Sequence, residues 1–303
     1  MEGVTKRFGT VTAVDSLSWQ VPAGAVVGLI GPNGAGKSTT MRLLIDYLRP
    51  TTGSIRVLGE NPRFGGPALR RRLGYLPGEL TAAGTATGRQ VLEFFCRLNA
   101  PAAIGQIDAW CERLGVDPHR RIRTLSKGNK QKLGVIQAFI HEPELLILDE
   151  PTSGLDPLLQ YEFLTITREA AETGATVLLS SHVLGEIEHI AEHAAVLNRG
   201  RLVREASVAD LRRDAGHDFS ALLREPDREL LARESERLLG AEVAAGLSTR
   251  ELAAGIVEVT GQVPGSVEAD RVVALLSAFD VVDFTFRQRD LEDTVLDLYR
   301  EQP

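Results

Sequence analysis

The chain has 303 residues, 43% of them hydrophobic and 25% charged, enough to bury one large core and a second small one without staples. Its formal net charge of -7 excludes a surface built to neutralise nucleic-acid phosphates, which needs clustered excess Lys and Arg, so nucleic acid is not an expected partner. Cys96 and Cys111 have no Cys or His at ligand spacing, which excludes a zinc site or disulfide framework and suits a reducing compartment.

Residues 1–7 lack the apolar stretch of a signal peptide, and no apolar run approaches the ~20 residues of a membrane helix. Work at a membrane would therefore go through another chain. Four continuous apolar runs follow: Ala25-Val26-Val27-Gly28-Leu29-Ile30, Leu145-Leu146-Ile147-Leu148, Ala175-Thr176-Val177-Leu178-Leu179 and Ala194-Ala195-Val196-Leu197. Runs without alternation suit strands buried on both faces of a largely parallel sheet, so the expected class is α/β.

Directly after the first run, Gly31-Pro32-Asn33-Gly34-Ala35-Gly36-Lys37-Ser38 fits G-x-x-x-x-G-K-[ST], with an amphipathic helix expected over 39–48. Glycines let the backbone turn its N–H groups onto phosphate oxygens, and the helix N-terminus adds its positive dipole end. Lys37 places a point charge on the β- and γ-phosphates, and Ser38 offers its hydroxyl to Mg²⁺. These eight residues and Thr39 are the expected nucleotide-binding set.

From about residue 66 to 140 the pattern turns helical, with Val91, Leu92, Phe94, Phe95 and Leu98 at 3.6-type spacing and no strand signal, which predicts an inserted helical subdomain. The Phe94-Phe95 pair reads as core. Arg70-Arg71-Arg72 and Arg120, Arg121 and Arg123 read as solvated faces. The second apolar run then delivers Asp149 and Glu150 to the carboxyl edge of a buried strand, where ligands sit in open α/β sheets. Asp149 suits Mg²⁺ and Glu150 suits orienting the water that attacks a γ-phosphate. His182, just past the third run, lies on the same edge and can both donate and accept. After about residue 209 the chain is Arg/Glu/Ala-rich, then predicts a strand (256–260), a helix (267–278), a strand (281–287) and a last helix (291–300), a small α+β appendage. The expected boundaries are 1–210 and 211–303, without internal duplication.

One further set of residues makes the pattern specific. Leu125-Ser126-Lys127-Gly128-Asn129-Lys130-Gln131 precedes an apolar helix, and Asp149-Glu150-Pro151-Thr152-Ser153-Gly154-Leu155-Asp156-Pro157 and then Ser181-His182 follow it. Over residues 1–210 this order resembles the nucleotide-binding subunit of an ABC transporter, in particular the ABC-2 type drug and antibiotic exporters.

The resemblance implies a P-loop ATPase energising efflux through a separate transmembrane permease, from the cytoplasmic face of the plasma membrane. It makes residues 31–38 the Walker A motif, Asp149 the Walker B magnesium ligand, Glu150 the catalytic base, Ser153, Gly154, Leu155 and Asp156 the D-loop, and His182 the switch histidine. Ser126, Lys127, Gly128 and Asn129, with Leu125, match the signature that closes over ATP on a second copy in a head-to-tail dimer. Phe8 matches the aromatic that stacks on adenine; from the strand pattern alone it reads as core.

Three departures from the family pattern stand out. Gly78 and Glu79 stand where the family has its Q-loop Gln, Lys127 and Asn129 replace a signature Gly and Gln, and the chain begins several residues later than the family's first strand. The last helix resembles that of the regulatory or dimerising C-terminal domains of such exporters. The competing functions are a soluble ABC ATPase on ribosomes or DNA, whose twin cassettes or coiled coils are missing here, and a nucleotide-dependent regulator without turnover, which Glu150 and His182 oppose.

Overall fold

The computed structural model describes residues 1–78, 85–181, 184–252, 255–267 and 269–300. It divides into two compact units, Met1–Val208 and Ala209–Pro303.

The first unit opens with a hairpin of β1 (Glu2–Phe8) and β2 (Val11–Leu17), followed by β3 (Val26–Ile30), α1 (Lys37–Leu44), the short β4 (Thr52–Ser54), α2 (Gly66–Arg71) and β5 (Leu73–Leu76). A helical stretch follows: α3 (Gly88–Asn99), α4 (Ile107–Arg113) and α5 (Lys127–Phe139). The chain then returns through β6 (Leu145–Asp149), α6 (Pro157–Glu172), β7 (Thr176–Ser181), α7 (Leu184–Ile190), β8 (His193–Asn198) and β9 (Arg201–Ser207).

The six-stranded sheet has the order β5-β6-β7-β3-β8-β9, parallel except for the β8/β9 pair. β3 is buried along its whole length and β6 along all but its first residue, as expected for strands covered on both faces. Because the strands are parallel, residues 31–38, 149–150 and 180–181 all emerge from one edge. β7 stands between β3 and β6, so its end lies between the glycine loop and the acid pair. A separate antiparallel sheet, β2-β1-β4, ends β1 at Phe8.

Three sequence readings require correction. The stretch expected to be mainly helical and without strand signals contains β5, the edge strand of the central sheet. Leu73-Gly74-Tyr75-Leu76 is too short to show periodicity, and Gly74 permits it: a Cβ there would lie 2.2 Å from the Ala138 carbonyl oxygen at the end of α5. Phe94 is not core but 55% exposed, in edge contact with Phe95, because α3 turns Leu92 and Cys96 inward instead. Thirdly, α1 starts inside the glycine motif at Lys37 and stops at Leu44, followed by Asp46 at φ 58°, short of the expected Leu48.

The helices have local start signals. Thr87 and Gln90 form a reciprocal capping box on α3, and the Ser126 hydroxyl caps α5 by accepting the Asn129 N–H. Asp156 caps α6 in the same way, with Pro157 in the first turn. Arg113 on α4 makes paired hydrogen bonds to Glu169 and one to Glu162, both on α6, which rivets the helical stretch to the sheet-covering helix. Of the basic runs, Arg72 is engaged by Glu144 and Glu60, while Arg120, Arg121 and Arg123 are exposed as read.

The second unit carries α8 (Val208–Ala215) at its start, then β10 (His217–Arg224), α9 (Arg228–Leu239), α10 (Ala241–Ala245), β11 (Ser248–Glu251), β12 (Ile256–Val263), α11 (Ala269–Leu276), β13 (Val281–Gln288) and α12 (Leu291–Arg300). Its antiparallel sheet has the order β11-β12-β10-β13, the βαββαβ arrangement with a split pair of βα units. Phe219, Ala221, Leu223, Val257 and Val259 pack on Leu231 of α9 and Leu275 of α11 to form a separate core. The sequence reading found β12, α11, β13 and α12 but missed α8, β10, α9, α10 and β11.

Candidate nucleotide site

A cavity of about 860 Å³ runs along the carboxyl edge of the parallel strands. Phe8, Val11, Thr12 and Ala13 line it, then the motif residues from Pro32 to Thr39, then Gly78, Asp149, Glu150, Ser153 and Lys127.

The glycine loop owes its shape to two close approaches. Gly36 sits at φ 102°, and a Cβ there would lie 2.5 Å from the Ala13 carbonyl oxygen of the β1/β2 hairpin. Gly31 lies beneath the end of β8, where a Cβ would meet the Leu197 carbonyl oxygen at 2.6 Å. Only glycine fits either position, so the loop packs directly against the β1/β2 hairpin and the end of β8. Gly34, at φ 84°, has open space around it.

Lys37, the first residue of α1, is buried. Its Nζ donates to the Gly31 carbonyl oxygen at 2.6 Å and stands 3.8 Å from a Glu150 carboxylate oxygen. The lysine is thus held across the loop by groups of the loop itself, at the positive end of a helix.

Asp149, 2% exposed, is satisfied by hydroxyls: one oxygen accepts from Ser38 and from Ser180, each at 2.9 Å. Ser180 also accepts the Glu150 N–H at 3.0 Å. That bond holds Glu150 at φ 48°, a left-handed conformation costing an ordinary residue about 1–2 kcal/mol, which swings its carboxylate off the strand axis toward Lys37. Sequence reasoning missed Ser180, because sharing one edge does not say which strand neighbours β6, and only the sheet order places β7 there. It also missed Glu186, which accepts from Thr152 and Ser181, and Gln131, whose buried side-chain amide donates to the Pro151 carbonyl oxygen.

The structure brings together Phe8, the glycine loop, Ser38, Thr39, Asp149 and Glu150. Phe8 is 46% exposed at the end of β1, with the Lys6 ammonium 4.9 Å from its ring centre, so it belongs to the cavity wall and not to the core. Gly78 packs behind the acid pair: a Cβ there would lie 3.3 Å from the Asp149 carbonyl oxygen. Glu79 and His182 lie outside the described residues. Ser126 caps α5 and Gly128 and Asn129 lie in its first turn; Gly128 lies against the Gly154 carbonyl, so the segment around residues 126–129 touches that of residues 153–156.

The ABC transporter family profile matches residues 14–153. The bacitracin transport ATP-binding protein BcrA of Enterococcus faecalis is 36% identical over 69% of this chain and 69% of its own length. The chain belongs to the ABC transporter ATP-binding protein family. The daunorubicin/doxorubicin resistance ATP-binding protein DrrA of Streptomyces peucetius is 33% identical over 98% of this chain and 90% of its own length. Among solved structures, an ATP-binding subunit of an ABC transporter superposes with a TM-score of 0.66 at 28% identity, over 70% of this chain and 90% of its own. The ABC match includes the glycine loop and the acid pair, and the protein is an ATP-hydrolysing transporter subunit. No helix among its described residues is long and apolar enough to cross a membrane.

Proposed function

We propose that this ABC subunit binds Mg²⁺-ATP in the 860 Å³ cavity and uses its hydrolysis to drive a separate membrane permease that exports a drug-like or antibiotic compound. The carrying observation is the join of Lys37, Ser38, Asp149 and Glu150 through bonds and contacts of 2.9–3.8 Å at the mouth of one sheet. The exporter assignment draws on the bacitracin and daunorubicin relatives, the second spanning both units.

In this reading the adenine stacks on Phe8 and the triphosphate runs along the loop amides toward α1. Lys37 gives up the Gly31 carbonyl for the phosphates, exchanging a neutral acceptor for a charged one. Ser38 and Asp149 present hard oxygen donors within hydrogen-bond distance of each other, the chemistry a Mg²⁺ shell requires, and they would hold that ion, whose charge would screen the β- and γ-phosphates. Glu150, fixed at its backbone by Ser180, orients the attacking water, and His182 contacts the γ-phosphate side. The Ser126-Lys127-Gly128-Asn129 segment of a second copy closes the far side, with Ser153, Gly154, Leu155 and Asp156 between the two sites, so ATP holds a head-to-tail dimer together and its hydrolysis releases it. The subunit works at the cytoplasmic face of the membrane, held there by the permease, and residues 211–303 form a regulatory or dimerising domain.

Two substitutions test this. Lys37→Ala should weaken ATP binding and turnover by at least tenfold each, and Glu150→Gln should keep ATP binding while turnover falls about a hundredfold or more. Full transport by vesicles carrying the permease with the Glu150→Gln subunit would overturn the proposal.

A further inference from the structure

The sheet of the second unit has two outer strands, β11 and β13, and each leaves one row of backbone N–H and C=O groups with no strand beside it. Such an edge is a template for pairing with another chain unless it is short, charged or broken. β11 is four residues long, and its Arg250 is tied to Glu258 of β12. β13 is twice that length, contains neither Pro nor Lys, and leaves Val281 37% and Val282 45% exposed. Its register with β10 runs without a shift from Asp283 to Gln288, so this stretch is a regular edge.

The strand is also complementary to itself about Thr285. Phe284 and Phe286 pack against the core of the unit, while Asp283, Thr285 and Arg287 alternate with them on the opposite face and are exposed. Laid antiparallel on a second copy with Thr285 opposite Thr285, each Asp283 stands opposite the other copy's Arg287, and each Phe284 opposite its Phe286. A slip of one residue sets a charge opposite a Phe, and a slip of two sets Asp283 or Arg287 opposite Thr285; either loses both Asp283–Arg287 pairs. Within one chain, no ion pair among the described residues engages Asp283 or Arg287, and Asp218, the neighbour of Arg287 on β10, lies 3.7 Å from the Arg289 Nε.

We propose that β13 pairs with β13 of a second copy about a two-fold axis at Thr285, joining two four-stranded sheets into one of eight strands; this rests on the reading of residues 211–303 as a dimerising domain. The contact is made of backbone hydrogen bonds, two ion pairs and two aromatic pairs, and it needs no nucleotide. It keeps two copies together after hydrolysis releases the interface that ATP holds, so the next closure joins tethered partners rather than partners that must meet by diffusion.

The test follows self-association of the full chain by sedimentation equilibrium, without nucleotide and in EDTA. The unsubstituted chain should dimerise. Asp283→Arg alone and Arg287→Asp alone each set like charges opposite one another twice, and each should weaken the dimer at least about tenfold. The double variant Asp283→Arg/Arg287→Asp should restore it, because the two charges have only exchanged places. An equimolar mixture of the two single variants should restore it too, since two arginines of one copy then face two aspartates of the other, and this also shows that both variants are folded. Dimers indifferent to either single reversal, or weakened dimers that the double variant and the mixture fail to restore, would overturn the β13 pairing and leave the dimerising reading standing. A nucleotide-free chain that stays monomeric would overturn that reading as well.

Discussion

Ser180→Ala removes one oxygen and tests how the acid pair is held. The Ser180 hydroxyl is fully buried, donates to Asp149 at 2.9 Å and accepts the Glu150 N–H at 3.0 Å. A hydrogen bond to a charged group contributes about 1.5–3 kcal/mol and a neutral one about 1 kcal/mol. Asp149 keeps its bond from Ser38, and alanine leaves little void, so the net loss should be about 2–3 kcal/mol. Denaturant unfolding followed by tryptophan fluorescence reads this from the correct unit, because Trp19 and Trp110 both lie in residues 1–208. Turnover should fall about tenfold or more with little change in ATP Kd, since the freed backbone at Glu150 relaxes from φ 48° and misplaces its carboxylate. A stability change within about 0.5 kcal/mol together with unchanged kcat would refute the argument that Ser180 fixes the pair.

Three other substitutions or conditions separate the forces in this fold. Gly36→Ala should cost about 3 kcal/mol or more and abolish measurable ATP binding, because it adds backbone strain and a clash with the Ala13 carbonyl, whereas Gly34→Ala, in open space, should cost only about 1 kcal/mol; paired denaturation curves check the difference. Burial pushes the Cys111 thiol up to about 11 and raises that of Cys96 as well, so neither should react with iodoacetamide in the native protein at neutral pH, and mass spectrometry should find both labelled only after unfolding. Burial holds the His141 imidazole below its ordinary value despite its bond to the Leu73 carbonyl oxygen. The unfolded chain therefore takes up the proton first, and stability should fall as pH drops below about 6.5 until the folded imidazole also titrates; His141→Gln should flatten that slope in unfolding midpoints measured from about pH 8 to 5.

Much of the site was legible because its determinants are local. The spacing of glycines at 31, 34 and 36 before Lys37 and Ser38 marks a phosphate loop in the sequence itself, although the backbones that press on Gly36 and Gly31 come from Ala13 and Leu197, and an apolar run ending in Asp149-Glu150 places two carboxylates at a strand end. β5 was not legible: four residues cannot declare a period, and the reason for Gly74 is a carbonyl of α5 more than sixty residues away. Phe94 was misread for a related cause, since helical spacing marks an apolar face wider than the one the neighbours cover, and packing against the rest of the fold chose Leu92 and Cys96.

By itself, then, the chain's order of residues determined the α/β class, the phosphate cradle, the acid pair and the family, because apolar runs, motif spacing and helix-cap residues are written in short local segments. Tertiary structure alone decided that β7 stands between β3 and β6 and puts Ser180 on both acids, and that Lys127 reaches its own chain's cavity. Those facts depend on which strands pair and which helix ends meet across large sequence separations, and pairing is settled by the total burial of the sheet rather than by any short segment.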